Sequence, residues 1–579
     1  MQKTGAWLAV YALEQVGVTF TFGIPGVHNT EFYDELNNSE QITPLLVTHE
    51  GCGAFMADAV SRVSNGIGTL AIVPAAGLTH AASGIAEAFL DGIAMLVITG
   101  GIRTDLGKRY QLHEIDQLEM ARPITKGAFR ITRHADVVTT IFEAYRLATS
   151  GEPGPVLVEL PVNLQLFPGD VGHGGVLPRW EPAPPNRFEG GDLIRRAGDL
   201  LLNAKRPGIF VGWGARGAAD EVAAIAELLG APVCTTLQGL AAFPGDHPLH
   251  AGFSFGPAAV PAAQNAFKDC DCLLAVGTRF GELATGSFGV TVPPQLVHVD
   301  INPAVFDRNF PAEVAIAGDA RTVLAIVLKE LRGHVRPVLD GAIPARIARD
   351  KQAYRARWLA HDSHGRVNPQ RFFDELRQRT PANAIAVVDD GNHTYLTAEL
   401  FTIQRGGRLI LPTDFNAMGY AVPAAIGAKL SQPDHDVFAI VGDGAFMMTC
   451  MEIVTAATHS LGIVYYVFSD GELSQIAQAQ EIPYNRKACS VLGRLNIEGV
   501  ALATGAAHVA MHDDASIAPA IEQARRLAAA GRPVIVNVSI DYSKRTAFTE
   551  GAVKTNFRRF PLAQRLRMAS RAVLRKVTG

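Results

Sequence analysis

Residues 441–472 read VGDGAFMMTCMEIVTAATHSLGIVYYVFSDGE and establish the fold class of this chain. An apolar strand ends in Gly442-Asp443-Gly444, and a second apolar strand ends in a Ser-Asp-Gly turn that contains Asp470. With a helix between them, the two strands form a βαβ unit whose strand ends meet at one sheet edge, where ligands collect. Glycines there let a diphosphate approach the backbone, and carboxylates suit Mg²⁺. An ordinary strand-to-helix turn is the alternative interpretation.

The same alternation of apolar strands and helices recurs along all 579 residues and predicts three domains. We expect an α/β protein with three doubly wound parallel-sheet domains at residues 1–170, 190–335 and 365–545. A Pro/Gly-rich linker separates the first two. Residues 546–579 form a basic tail, predicted as a solvated helix, a disordered end or a lid over an anionic group.

Composition excludes several classes of protein. The net charge of −4 provides no basic field for nucleic acid, and no apolar run is long enough to span a membrane. The six cysteines form no CxxC pair, and the N-terminal segment shows no signal-peptide cleavage pattern. We therefore expect a cytoplasmic protein that binds neither nucleic acid nor membranes.

Four further segments accompany the Gly-Asp-Gly unit. They are FGIPGVHN at 22–29, THEGCGA at 48–54, LHEID at 112–116 and NAMGYAVPAAIGA at 416–428. Together with residues 441–472 they resemble, in order and spacing, the motifs of thiamine diphosphate (ThDP) enzymes of the acetolactate synthase-like group. Ser469-Asp470 stands where that family usually has Asn-Asn, which makes the site more anionic.

The resemblance implies roles for individual residues. Glu50 would activate the cofactor by bonding its aminopyrimidine ring, and Met418 would hold the cofactor bent. Mg²⁺ would be held by Asp443, Asp470 and the backbone carbonyl of Glu472. The cofactor-binding residues predicted in this way are Pro25, Gly26, Glu50, Gly391, Asn392, Met418, Gly442, Asp443, Gly444 and Asp470.

The resemblance also implies an order of domains: a pyrimidine-binding domain, a central domain and a diphosphate-binding domain. In that arrangement the active site lies between two subunits, so Glu50 of one copy meets Asp443, Asp470 and Met418 of another. A homodimer is then the minimum unit, and a dimer of dimers, a homotetramer, is expected.

Three histidines lie inside the motif loops. His28 occupies a position similar to the active-site histidine of benzaldehyde lyase and cyclohexane-1,2-dione hydrolase, and His113 replaces a usual Gln. Histidine titrates near neutral pH, so we predict that both exchange protons with substrate. His80, which replaces an Asn, is predicted to line the substrate pocket.

The remaining pocket residues are predicted to be Val27, Leu112, Gln475 and Ala479. Acetolactate synthases carry aromatic residues at the positions of Leu112 and Ala479. Smaller side chains leave a wider pocket. We therefore expect a substrate other than that of the standard biosynthetic enzyme.

The predicted activity is a ThDP- and Mg²⁺-dependent C–C lyase or carboligase, a decarboxylase or transferase, acting on 2-oxo acids or α-diketones. Alternatives are a lyase that uses acyl-CoA, whose phosphates the basic tail would bind, and a non-catalytic scaffold. Residues 212–217, GWGARG, match the dinucleotide pattern GxGxxG. No acid clearly follows at the next strand end, so bound FAD or ADP stays an open alternative to a structural role.

Overall fold

The computed structural model describes residues 1–182, 188–334, 342–484 and 486–578. It contains three six-stranded sheets in which every strand pair is parallel, with helices around each sheet. The prediction of an α/β protein with three doubly wound parallel sheets is confirmed. The predicted domain end at 335, residues 183–187 of the linker and residue 579 lie outside the described residues.

The first domain has strand order β3-β2-β4-β5-β7-β6, with β1 paired to β8 in a separate antiparallel ribbon. Strands such as β5 are buried along their whole length, as expected for a parallel sheet covered on both faces. The elements are β1 (Gln2–Thr4), α1 (Gly5–Gln15), β2 (Phe20–Gly23), α2 (Thr30–Asn38), β3 (Thr43–Leu46), α3 (Glu50–Val63), β4 (Gly68–Ile72), α4 (Ala76–Asp91), β5 (Met95–Gly101), α5 (Gln117–Ala121), β6 (Gly127–Arg130), α6 (Val137–Thr149), β7 (Pro155–Pro161), α7 (Val162–Leu166) and β8 (Pro168–Asp170).

The second domain has strand order β11-β10-β9-β12-β13-β14, the order of dinucleotide-binding folds. Its elements are α8 (Gly191–Asn203), β9 (Pro207–Val211), α9 (Ala219–Leu229), β10 (Val233–Thr235), β11 (His250–Phe253), α10 (Pro261–Phe267), β12 (Cys272–Val276), β13 (Gln295–Asp300), β14 (Val314–Ala317) and α11 (Ala320–Arg332). A long helix, α12 (Ala342–Leu359), leads from it to the third domain.

The third domain has strand order β16-β15-β17-β18-β20-β19, so it repeats the topology of the first sheet. The tail forms two helices, of which α22 packs against α18. The elements are α13 (Pro369–Arg379), β15 (Ile385–Val388), α14 (Asn392–Leu400), β16 (Arg408–Ile410), α15 (Ala421–Ser431), β17 (Val437–Gly442), α16 (Asp443–Thr449), α17 (Ile453–Thr458), β18 (Ile463–Phe468), α18 (Ser474–Tyr484), α19 (Ile497–Thr504), β19 (Ala507–Met511), α20 (Ile517–Ala529), β20 (Val534–Val538), α21 (Ala547–Arg559) and α22 (Leu562–Thr578).

The first and third domains share one apolar core, built where α3 packs against α15. Every residue of α3 is buried, its charged residues included. The backbones approach so closely that a Cβ on Gly427 would lie 2.2 Å from the carbonyl oxygen of Met56. This contact fixes the position of the loop before α15, which carries Met418.

No helix within the described ranges is both long enough and apolar enough to cross a membrane.

Candidate active site

A cavity of about 220 Å³ opens at the carboxyl edge of the third sheet. Its walls come from the segments that follow β15, β17 and β18, the edge where ligands of open α/β sheets bind. Nine of the predicted site residues line it: Gly391, Asn392, Met418, Gly442, Asp443, Gly444, Asp470, Glu472 and Gln475.

Asp443 and Asp470 lie side by side in this cavity. The Oδ2 atom of Asp443 accepts hydrogen bonds from the backbone N–H groups of Asp470 (3.2 Å) and Gly471 (2.8 Å). Burial raises the pKa of both carboxyl groups, that of Asp470 to about 6, where the nearby Asp443 adds to the shift. Two adjacent carboxylates therefore form a locally anionic site.

These donors fit the Mg²⁺ ion predicted from the sequence. Within the described ranges, no three His, Cys, Asp or Glu side chains are grouped to hold a metal ion. However, Mg²⁺ commonly binds through one or two carboxylates and completes its shell with phosphate and water oxygens. The side chain of Glu472 is paired with Lys487 at 2.5 Å, which leaves only its backbone carbonyl for the role predicted.

Two polar groups in the cavity were missed by sequence reasoning. Within the described part of the chain, the buried Oδ1 atom of Asp390 and the buried Nε2 atom of His393 have no hydrogen-bond partner. Burial raises the pKa of Asp390 to about 6 and lowers that of His393 to about 3. Buried polar atoms are normally paired, so both atoms are suited to bind a polar ligand. The sequence did contain one signal for these two residues: they follow β15, at a strand end where ligands are expected.

A glycine allows His393 to occupy this position. Gly391 has φ +151°, and a Cβ there would lie 2.6 Å from the His393 ring. Any other residue would therefore push the ring away from the cavity.

The loop that carries Met418 is held from two sides. Asp389 accepts hydrogen bonds from the N–H groups of Gly419 (2.9 Å) and Ala421 (2.7 Å). From the first domain, Glu87 accepts the N–H of Ala417 at 2.9 Å. Burial raises the pKa of Asp389 to about 7 and that of Glu87 to about 9. Packing between domains thus positions the Met418 side chain at the cavity.

The predicted activating carboxylate lies in the first domain. Glu50 begins α3 and is buried, and its Oε2 atom lies 3.0 Å from Nδ1 of His80. The His80 ring stacks on His49, with ring centroids 4.8 Å apart. The structure therefore places His80 against the carboxylate of Glu50. That His80 lines the substrate pocket stays a prediction.

His28 and His113 are brought together by the loops after β2 and β5. Their ring centroids lie 5.1 Å apart. Both Nδ1 atoms are buried and have no hydrogen-bond partner in the described part of the chain. Burial, and then the neighbouring His113, lowers the pKa of His28. Two imidazole rings this close, each with an unpaired ring nitrogen among the described residues, can accept or pass on a proton.

The other predicted residues of the first domain lie in exposed loops. Val27 is 65 % exposed and Leu112 is 63 % exposed. Pro25 and Gly26 directly precede Val27, and the N–H of Gly26 donates a hydrogen bond to the Asn29 side chain at 2.7 Å. Ala479, on α18, is exposed and does not line the cavity of the third domain.

No described residue of the first domain lines the cavity that contains Asp443. We call Glu50, His28 and His113 of the first domain one half-site, and the third-domain cavity the other. Among the described residues, the first half-site contributes nothing to the lining of that cavity.

The GxGxxG segment of the second domain has a packing explanation. A Cβ on Gly212 would lie 2.2 Å from the carbonyl oxygen of Gly277, and one on Gly214 would lie 2.8 Å from its Cα. The adjoining cavity, of about 100 Å³, contains Asp300 at the end of β13, an acid that sequence reasoning did not assign. Burial raises the pKa of Asp300 to about 6. The glycines allow two loops to cross.

Comparison with known families matches all three domains. Models described as the N-terminal TPP binding domain, the central domain and the C-terminal TPP binding domain of thiamine pyrophosphate enzymes match residues 3–120, 194–327 and 389–538. Thiamine pyrophosphate (TPP) is another name for ThDP.

Curated relatives cover most of the chain. It is 32 % identical to the probable acetolactate synthase large subunit of Methanocaldococcus jannaschii, over 84 % of this chain and 83 % of that protein. It is 31 % identical to the acetolactate synthase large subunit of Corynebacterium glutamicum (93 % and 86 %). It is 30 % identical to the acetolactate synthase isozyme 3 large subunit of Escherichia coli (93 % and 95 %).

Proposed function

Since this chain belongs to the thiamine pyrophosphate enzymes, in their acetolactate synthase-like group, and is a ThDP-dependent enzyme of the carboligase or decarboxylase kind, we propose that it cleaves or forms C–C bonds of 2-oxo acids or α-diketones. The observation that carries this proposal is the cavity in which Met418 and the Asp443–Asp470 pair lie together. When bound, ThDP supplies an electron sink beside the carbonyl carbon.

The side chains of the third domain would bind the cofactor and its metal. Asp443 and Asp470 would hold Mg²⁺, and Nε2 of His393, which has no hydrogen-bond partner among the described residues, would bind a polar group of the cofactor. Met418 would provide an apolar surface, for which a polarizable thioether is well suited.

The side chains of the first domain would move protons. Glu50 would exchange a proton with the cofactor's aminopyrimidine ring, and its contact with His80 orients the carboxyl group. His28 and His113 would exchange protons with the substrate oxygen, because their Nδ1 atoms are unpaired within the described residues.

The activity is tested with purified protein, ThDP and Mg²⁺ and a panel of 2-oxo acids, α-diketones and acyl-CoA esters, with products identified by mass spectrometry. Coupled C–C products that disappear in Glu50→Gln establish a carboligase, and aldehydes or acids alone establish a decarboxylase or hydrolase. Glu40→Gln, on the surface, is the matched control. Equal turnover by Glu50→Gln and the wild type would contradict the assignment of Glu50.

We further propose that the substrate differs from that of the standard biosynthetic acetolactate synthase. Support comes from Leu112 and Ala479, which are exposed and are smaller than the aromatic residues that acetolactate synthases carry at these positions. Acetolactate formation, the activity named for the relatives, is examined by including pyruvate in the panel. Ala479→Trp is expected to narrow the range of acceptors, and an unchanged range would place Ala479 outside the pocket.

We propose a homodimer as the minimum active unit, because no described residue of the first half-site lines the third-domain cavity. Mixing Glu50→Gln with Asp443→Asn tests this directly. If sites form between copies, random dimers regain about a quarter of the wild-type sites, because half the dimers are mixed and each contains one intact site. A site within one chain would regain no activity. Sedimentation distinguishes a dimer from a homotetramer.

We assign the second domain a structural role, supported by the crossing loops at Gly212 and Gly277. Visible flavin absorbance in the purified protein would instead favour FAD. The acyl-CoA alternative has one supporting observation, the packing of the basic helix α22 against α18, whose first residues line the cavity. Removing residues 551–579 should then weaken binding of CoA esters and leave 2-oxo acids unaffected.

A further inference from the structure

A separate cavity of about 260 Å³ lies between the second and third domains. Its residues come from β11 and the loop before it, from α10, α12 and α13, and from the segment that ends α14, and none of them belongs to the candidate active site. The apolar residues of its lining include Leu240, Ala251, Phe253, Val260, Leu400 and Ile403.

Lys351 is the charged group at the polar end of this cavity. Its Nζ atom lies 3.3 Å from the carbonyl oxygen of Gly245 and 3.2 Å from Nδ1 of His250. Within the described residues, no carboxylate lies within ion-pair distance of Nζ. An ammonium group has three donors, and the described residues accept two of them. The third donor is available to a ligand.

Asp246 is a nearby acid whose charge favours the ammonium form of Lys351, but among the described residues it forms no ion pair with Nζ. Burial lowers the pKa of His250 well below its ordinary value, so this ring is neutral. The carboxylate of Asp374 is paired with Arg355 at 2.6 Å. Glu399 accepts hydrogen bonds from Tyr354 and from the N–H groups of Ala547 (3.1 Å) and Phe548 (2.7 Å).

We propose that this cavity binds a small monocarboxylate with an aliphatic chain, its carboxylate on Lys351 and its chain on the apolar wall. A charge-assisted hydrogen bond inside a partly buried cavity supplies affinity and orientation. Hexanoate, whose carboxylate carries a five-carbon apolar chain, is a probe of this chemical class.

The site is also connected to the candidate active site through one helix. Asn392 and His393 at the start of α14 line the cofactor cavity, and Ala398, Glu399 and Leu400 at its end line this one. The binding site itself does not depend on the proposed substrate class.

The test is calorimetric titration of the full-length protein, with ThDP and Mg²⁺ present, at pH 7. Three probes share one chain length: sodium hexanoate, 1-hexanol and hexylamine. We expect hexanoate to bind at least about tenfold more tightly than hexanol, the value of one charge-assisted hydrogen bond. Equal affinity for hexanoate and hexanol, tighter binding of hexylamine, or no hexanoate binding at all would overturn the proposal.

Variants locate the binding. Lys351→Met should reduce hexanoate affinity to that of hexanol, whereas Lys268→Met, at an exposed lysine of the second domain, should leave it unchanged. Unchanged hexanoate binding by Lys351→Met would show that hexanoate binds elsewhere and would overturn the site. If Lys351→Met does not fold, the relative affinities of the wild-type protein for the three probes test the proposal instead.

Discussion

Replacing Arg62 by Met should destabilise the contact between the first and third domains by several kcal/mol. Arg62 and its partners Asp58 and Asp91 have fully buried side chains, with N–O distances of 2.6 Å and 2.8 Å. A third bond joins Nη1 of Arg62 to the carbonyl oxygen of Leu411, at 3.2 Å. Burial raises the pKa of Asp58, and Arg62 opposes that shift. Met preserves much of the volume and removes the charge.

Two estimates of the cost agree. Removing one partner of a buried ion pair typically costs about 3–5 kcal/mol. Alternatively, a carboxyl group left without its partner takes up a proton. At pH 7 this costs about 1.4 kcal/mol for each of roughly three pH units above an ordinary aspartate pKa, or about 4 kcal/mol.

The second route predicts a dependence on pH. In the variant, the folded protein would hold carboxyl protons that the unfolded chain has released, so the folded state binds more protons. The stability of the variant relative to wild type should therefore fall as pH rises, by up to about 1.4 kcal/mol per unit for each carboxyl affected. Lowering the pH to 5 should recover more than half of the loss.

Urea unfolding at pH 5 and pH 7 measures the effect. For a slope near 2 kcal/mol/M, the midpoint of the transition involving these domains should fall by about 2 M at pH 7. Arg133→Met, which removes an exposed ion pair with Asp136, is the matched control and should change stability by less than about 1 kcal/mol. A loss in Arg62→Met below about 1 kcal/mol, or one independent of pH, would refute the reasoning.

Three further predictions follow from contacts described above. Gly427→Ala should destabilise the protein by about 1–3 kcal/mol in thermal or urea unfolding, because the 2.2 Å approach to Met56 outweighs the gain of up to about 1 kcal/mol in helix propensity; a stabilised variant would show that the helices can separate. Asp470→Asn should weaken Mg²⁺ binding, measured as the Mg²⁺ concentration that half-saturates ThDP uptake, since one anionic ligand is lost; unchanged Mg²⁺ dependence would remove Asp470 from the metal site. Hexanoate affinity should fall as pH rises above about 8, the value to which burial lowers the pKa of Lys351 although the charge of Asp246 opposes that shift. His250 and the Asp374–Arg355 pair supply no replacement cation. Calorimetry at pH 7 and 9 checks this, and equal affinity would exclude the ammonium group as the anchor.

Much of the third-domain half-site could be predicted from local sequence. The turns that contain Asp443 and Asp470 each follow an apolar strand, and consecutive parallel strands place their carboxyl ends at one edge. The same reasoning applies to His28, in the loop after β2. The contact of His28 with His113 could not be predicted, because the two loops lie far apart in the chain.

The burial of the charged residues between the first and third domains could not be predicted from local sequence. Glu87, Asp91 and Arg62 lie on helices, where charged side chains are usually exposed, yet all three are buried between the domains. The glycines of the GxGxxG segment were equally ambiguous, because whether they face a ligand or another loop depends on the position of Gly277.

Sequence alone therefore determined the α/β class, the cofactor family and the two carboxylates at the sheet edge, since strand periodicity and turn chemistry act over short stretches of chain. Tertiary packing determined which charges are buried, which histidines meet and where Lys351 lacks an acidic partner in the described chain. The physical reason is that desolvation and electrostatic interactions depend on distances between segments, and these distances exist only once the domains have packed together.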